Sequence, residues 1–476
     1  MTDRPTGWGA LFSGRNATRA IVLAGGVVLH AINVYVATTI MPSVVTDIGG
    51  LDYYAWSTTL FIVASIVGSA LSARLLQAGG PKTAYGVAAG LFGLGTLICA
   101  LSPSMPALLA GRFVQGFGGG FLFALSYTMI RLVFEESLWP RAIALVSAMW
   151  GIATLIGPAI GGTFAEIGAW RAAFWSMLPI TILFALLAFA VLPPKQATQR
   201  PLSRLPVLQL ALLTLSVLAV SLGSVRPDPH WNIAGTVAAL LLLALLALVE
   251  RRAALVATAR RLLPRGALSF TAPLGLLFLT MSLLSIAVTS SEIFAPLFLQ
   301  VLHGQSPLMA GYLAVVMSAG WTIGSVSSSG VRGRAINRAI VLAPALCLAG
   351  MVMLAVLLPG QSEGTWALLA AICLGFILVG LGVGIGWPHL LTRVLQVAPA
   401  DEQELASAAI TVVQLFATAL GAAVAGMVTN LAGLSEPGGV AGTSHAAFWL
   451  FTVFAAAPAI GLVTAARCTR LRRAIP

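Results

Sequence analysis

The sequence predicts an all-α membrane protein, two six-helix bundles joined through two additional helices, on three observations. Of its 476 residues, 59% are hydrophobic and only 8% charged. An ordinary soluble chain carries about 25% charged residues, so this one cannot clothe a water-facing surface, and its solvent is largely lipid. The apolar residues fall in runs of about 20, the length a helix needs to cross a hydrocarbon core about 30 Å thick. The basic residues, finally, gather in alternate segments between those runs.

In chain order, residues 1–19 are polar and carry Arg4, Arg15 and Arg19, unlike a cleavable signal, whose basic start leads directly into a short apolar core. Spans are expected near 20–42, 56–73, 83–101, 106–130, 142–165, 172–192, 205–223, 231–249, 271–300, 308–329, 339–358, 365–391, 405–430 and 446–466, helices 1 to 14. With the N-terminus inside, 23 of the 26 Lys and Arg lie in cytoplasmic segments. Arg171 and Arg226 lie outside, and Arg112 lies within helix 4. That is the bias of the positive-inside rule, and it places both termini in the cytoplasm of a plasma or bacterial inner membrane. The rule cannot separate twelve spans from fourteen, because removing a hairpin preserves parity. Helices 7 and 8 decide it: two long apolar runs flank a short polar turn, Ser224 to His230, and a soluble linker would not be so apolar. Pro-containing basic stretches at 193–206 and 250–266 divide the chain into a bundle at 1–200, a two-helix linker at 201–266 and a second bundle at 267–476. Trp56, Trp139, Trp170, Trp231 and Trp366 stand at span ends, as an interfacial belt requires.

Several classes are excluded by what the chain lacks. Cys99, Cys347, Cys373 and Cys468 have no paired spacing, so neither a disulfide framework nor a metal site is suggested. The five His are scattered without a metal-protease spacing, which argues against a membrane enzyme. No repeated charged ring or filter-like loop points to a channel. The formal charge of +12 reads as membrane topology rather than nucleic-acid binding. No cofactor is called for, and nothing in the sequence demands an oligomer.

Gly111-Arg112-Phe113-Val114-Gln115-Gly116 resembles the RxxQG signature in helix 4 of the major facilitator superfamily. Gly157-Pro158-Ala159-Ile160-Gly161-Gly162 resembles the GPxxGG motif that marks its antiporters in helix 5. Trp170-Arg171, followed by Phe174 and Pro179, is similar to the family's entry to helix 6. Pro296 to Gln300, with Ser306-Pro307-Leu308 and Ala310-Gly311, resembles a run typical of its fourteen-helix drug:proton antiporters. Three positions depart from the pattern. Asn33, nine residues before Pro42, stands where the family usually has Asp. The loop between helices 2 and 3, Ser72 to Lys82, holds no acid, although the family builds a cytoplasmic latch on one. Met177 replaces an expected Asn.

The resemblance implies alternating access about a midplane cavity, and proton-coupled export of amphipathic or lipophilic small molecules, drugs included. The alternative is a carrier of a lipid or lipid-like metabolite with weak or no proton coupling. An ionisable side chain within a span is costly and functional by default. Of the 14 acids only Glu292 lies deep in a span, and it shares one face of helix 9 with Ser282, Ser285, Thr289 and Pro296. Burial out of water disfavours a carboxylate anion, so such a group can load and release a proton. A hydrogen-bonded Glu that only ties helices together is the other reading. Asn33, His30 and Thr38 fall on one arc of helix 1, which suggests that the protonatable group has moved from helix 1 to helix 9, with His30 as a second site. The resemblance places Arg112 near the proton site, and Gln115 lies one turn away from it. Trp150, Trp321, Trp387 and His389 are candidates to line a substrate cavity, by stacking on an apolar or cationic compound, though packing explains each singly. His389 is expected to interrupt helix 12. Gly157, Pro158, Gly161 and Gly162 are expected to bring helices close and to bend one, and Glu166 with Arg171 could form a gate pair.

Overall fold

The computed structural model describes residues 8–195, 205–226, 228–256, 260–362 and 364–471. After a one-turn helix at Trp8–Leu11 the chain runs through α1 (Gly14–Ile48), α2 (56–79) and α3 (81–101), which form one rod, Trp56–Leu101, broken at Gly80. It continues through α4 (Met105–Val133), α5 (Trp139–Glu166) and α6 (Trp170–Val191). The linker helices are α7 (Val207–Ser224) and α8 (Pro229–Ala253). The second set is α9 (Pro273–His303), α10 (Pro307–Ser328), α11 (Arg334–Leu357), α12 (Trp366–Val397), α13 (Gln403–Leu431) and α14, in two segments, Gly439–Phe454 and Ala456–Leu471.

Thirteen stretches among the described residues are long and apolar enough to cross a membrane. The stretch Leu51–Leu101 holds α2 and α3, which brings the number of crossings to fourteen, as expected. Their outward residues are apolar too: Leu183, Phe189, Leu241 and Val356 are each at least 65% exposed. A soluble protein could not present such residues on every helix, whereas lipid covers them. Trp56, Trp139, Trp170 and Trp366 each open a helix, as interfacial anchors do.

The expected loop at 74–82 is a finding against the sequence reading. Helix continues up to Gly79 and resumes at Pro81, so a single residue makes the break. Gly80 takes φ 76°, where a side chain would be strained, and Pro81 suits a first helical turn because its missing N–H has no partner there. Lys195 lies against Gly80 and donates from Nζ to the Ala78 carbonyl at 2.7 Å, a link in which no acid takes part.

The chain forms two compact units, one of Met1–Gly49 with Leu60–Leu205 and the other of Gly50–Thr59 with Pro206–Pro476. In the first, α4 is the central strut. A Cβ at Gly116 or Gly120 would collide with the backbone of Phe61 or Ser65 on α2, and one at Gly118 with that of Phe92 on α3. This close approach lets Ser65 and Ser69 donate across to the Gly116 and Gly120 carbonyls at 2.9 and 3.0 Å. In the second unit α12 has the corresponding place. Gly380 and Gly384 meet the backbone of Met317 and Trp321 on α10, while a Cβ at Gly382 would lie 2.5 Å from the Ala343 carbonyl on α11. Small residues are how membrane helices gain packing contacts where lipid removes the hydrophobic incentive to associate.

The linker helices pack on each other at Gly223 and Gly235, and on α13, where Asn430 donates to the Ser224 carbonyl at 2.9 Å. Beyond α8 the chain is pinned by two buried carboxylates. Glu250 accepts from the Leu262 and Leu263 amides at 2.9 and 3.2 Å. Glu402 accepts from Arg261, from the Arg265 amide at 2.7 Å and from its guanidinium at 2.6 Å.

Candidate functional site

In the first unit, the polar residues of α1 and α4 are drawn into one buried network. Arg112 is 1% exposed and donates to the amide oxygens of Asn33 and of Gln115, the latter at 2.7 Å. Gln115 passes the chain on to the Thr96 hydroxyl at 2.8 Å, and Thr96 ends it on the Phe92 carbonyl at 2.7 Å. The Asn33 amide faces the Met177 sulfur at 3.7 Å. Desolvating a guanidinium costs several kcal/mol. Here the amide oxygens and the Phe61 ring, 4.2 Å from the guanidinium carbon, offset that cost. Asn33 and Gln115 are wholly buried, so they hold Arg112 rather than face an opening in this conformation. Thr38 is buried and bonded back to the Val34 carbonyl of its own helix at 2.8 Å.

His30 stands on the other side of this network's aromatic neighbour. Its ring lies 5.2 Å from Phe61, 5.4 Å from Phe123 and 6.0 Å from Trp150. Its Nδ1 is buried without a hydrogen-bond partner among the described residues, beside Gly119, where a Cβ would come within 2.9 Å. Tyr127 extends the cluster, 5.3 Å from Phe123. Trp150, Phe123 and Tyr127 are each only half-buried. They form an aromatic wall with a protonatable ring at its back.

In the second unit α9 carries Glu292. The helix runs three residues beyond the expected span end, to His303, so the carboxyl lies about 16 Å from that end, close to half the thickness of a hydrocarbon core. Thr289 and Ser285, on the same face, are buried, and the Ser285 hydroxyl has no partner among the described residues. Glu292 is half-buried, and among the described residues no cation or hydrogen-bond donor is set against its carboxyl. Pro296 adds to the polarity, because it has no N–H to return to the Glu292 carbonyl. On the same unit Trp321 and Trp387 meet, ring centroids 5.4 Å apart. His389 is buried and bonded through Nε2 to the Ser328 carbonyl at 3.1 Å, the packed reading of this residue. It does not interrupt α12, which runs unbroken through Pro388. The carbonyl that Pro388 leaves unused is that of Gly384, and the Ser325 hydroxyl donates to it at 3.2 Å.

The profile of the Major Facilitator Superfamily matches residues 23–422. The chain belongs to this superfamily. It is 38% identical over 478 residues to a probable multidrug-efflux transporter of Mycobacterium tuberculosis, covering 98% of both chains. Multidrug resistance protein 3 of Bacillus subtilis is 23% identical over 392 residues, 79% of this chain and 73% of the relative. Among solved structures, a D-xylose–proton symporter superposes with a TM-score of 0.63 at 14% identity, covering 95% of this chain and 97% of that one, which bears on the fold alone. The chain is therefore an integral membrane protein of a transporter family, not of an enzyme family.

Within this facilitator, the GPxxGG stretch presses α5 onto α1. A Cβ at Gly157 would collide with the Tyr35 side chain, and one at Gly161 would lie 3.0 Å from the Val36 carbonyl. Pro158 and Gly162 are buried beside them. The expected Glu166–Arg171 pair is corrected. Glu166 is exposed at the end of α5, whereas Arg171 pairs with Asp47 at the end of α1 (2.6 Å) and donates to the Ser102 carbonyl at 2.9 Å. Trp170 donates to the same carboxylate at 3.1 Å. Asp47 was invisible as a partner because it lies 124 residues from Arg171. Thr96, Phe61, Phe123 and Tyr127 are also additions of the structure. For the last two there was a signal, since aromatic residues four apart share a helix face.

Proposed function

We propose that this chain exports amphipathic or lipophilic compounds, drugs among them, in exchange for protons, by alternating access, with Glu292 as the group that carries the proton. The observation that supports this most is the setting of Glu292. It is a carboxyl at mid-membrane depth, partly open, with a stripe of hydroxyls below it and no fixed counter-ion among the described residues. An acid already paired with a cation would stay charged and could not cycle. An acid without one is free to take up a proton and to release it to water when a cationic substrate approaches the carboxylate. The aromatic groups, half-buried Trp150 with Phe123 and Tyr127 in one unit and half-buried Trp321 backed by the buried Trp387 in the other, suit apolar or cationic substrates. The 38% identity to a probable multidrug-efflux transporter supports the same substrate class. His30 is the second protonatable group in this reading, and Arg112 the fixed charge beside it.

The test uses proteoliposomes with a trapped pH dye and an imposed proton gradient, challenged with lipophilic cations, neutral drugs and lysolipids. Wild-type protein should release protons on addition of some compounds, and Glu292→Gln, folded and inserted, should lose that release at least about a hundredfold, the lower range for loss of a proton-transfer group. Proton release unchanged in Glu292→Gln would overturn the assignment of the carrier group. Silence of wild type across the panel would turn the reading to uncoupled carriage of a lipid-like metabolite.

A further inference from the structure

Away from the polar networks of the two units, a cavity of about 760 Å³ lies in the second unit, where the end of α10 meets the start of α11, with residues of α12 and of the last turns of α14 among its lining. Its lining combines apolar side chains, Val331, Val341, Leu342 and Ile385, with the polar Asn337 and Arg338. Leu342 is 45% exposed and, beyond the arginines of the first turns, α11 exposes further large apolar residues at Val352 and Val356. The groove therefore opens toward the bilayer, and its mouth lies at helix ends, the depth of lipid headgroups.

The charge on its own helices has one sign. The four helices that line the groove contain no Asp or Glu from end to end, whereas Arg332, Arg334, Arg338, Arg393, Arg467 and Arg470 all lie at its end of the unit. Arg332, Arg334 and Arg338 are exposed, and none of the three makes an ion pair or a side-chain hydrogen bond among the described residues. Such arginines near a bilayer surface attract anionic lipid. An apolar slot beneath a basic rim matches the shape of a phospholipid, an acyl chain below a phosphate.

We propose that this groove is a binding site for one anionic membrane phospholipid, its headgroup on Arg332 and Arg338 and an acyl chain along Leu342 and Ile385. A bound lipid would bridge the α10–α11 turn to α12 and α14.

Native mass spectrometry of the detergent-purified full chain, titrated with phosphatidylglycerol or phosphatidylcholine, tests it. Wild type should hold one phosphatidylglycerol with at least tenfold preference over phosphatidylcholine. The double variant Arg332→Gln/Arg338→Gln should lose that preference at least tenfold, and Leu342→Trp, which fills the slot, should weaken binding with the arginines intact. Arg251→Gln/Arg252→Gln, at the end of α8, should leave it unchanged. Because all these positions are exposed, thermal midpoints without lipid should match wild type. Inorganic phosphate should not compete. Equal binding of the two lipids, indifference to both groove variants, or competition by phosphate would overturn the proposal.

Discussion

Arg112 shows how one side chain sets the demands on its neighbours. A guanidinium buried at this depth is tolerated only with acceptors around it, and Asn33 supplies one from α1 and Gln115 another from its own helix. Asn33→Leu should leave that guanidinium short of an acceptor and cost about 1–3 kcal/mol, seen as a lower thermal midpoint in detergent. Asn33→Asp keeps an acceptor oxygen at the same place and should unfold near wild type. It also sets a second carboxyl beside Arg112 and changes the charge there, so the pH profile of transport by this variant should shift from that of wild type. An unchanged pH profile in proteoliposomes would remove Asn33 from the proton path. The Leu variant unfolding like wild type would mean that Arg112 has other acceptors enough. Between them, the variants separate the network's structural role from its functional one.

At the scale of elements, the glycines of α4 and α12 decide how close the helices lie. Gly380→Ala would drive a methyl group into the Met317 carbonyl on α10, and backbone cannot rotate away as a side chain can. The two helices must then separate, at a cost of about 1–3 kcal/mol. Gly86→Ala on α3 is the matched control: it is exposed, with nothing within 4 Å of its Cβ, and the helix should gain up to about 1 kcal/mol from the exchange. Opposite shifts in thermal midpoint are expected, and equal shifts would show that α10 and α12 are looser than drawn. These helices were legible in the sequence because hydropathy and charge act through composition, which needs no partner to be read. What could not be read is pairing across the chain. The loop expected at 74–82 proved to be a one-residue break, since Arg74, Leu75, Leu76, Gln77 and Ala78 are all good helix formers and only the Gly-Pro pair interrupts them. Arg171 found Asp47 instead of Glu166, because sequence proximity favours the wrong carboxylate when two helix ends converge. Glu292 was legible for the reverse reason, being conspicuous by its own chemistry wherever its neighbours lie.

For the whole molecule the remaining question is which way it faces, and that rests on charge rather than on packing. With 23 of 26 basic residues assigned to one side, the turn between α7 and α8 should face outward and the turn between α10 and α11 inward. Arg226 and Ser329, one in each turn, are both exposed. Three helices, α8, α9 and α10, separate them, so an odd number of crossings must put them on opposite sides of the membrane. Arg226→Cys should be labelled by a membrane-impermeant maleimide on intact cells, and Ser329→Cys only after permeabilisation. The native background should be low, because Cys99, Cys347 and Cys468 are buried and Cys373 is half-buried within the apolar run of α12. The reverse pattern would invert the molecule while leaving every helix in place. Labelling of both positions from outside would remove one crossing between them, and with it the linker pair α7 and α8 as two full spans.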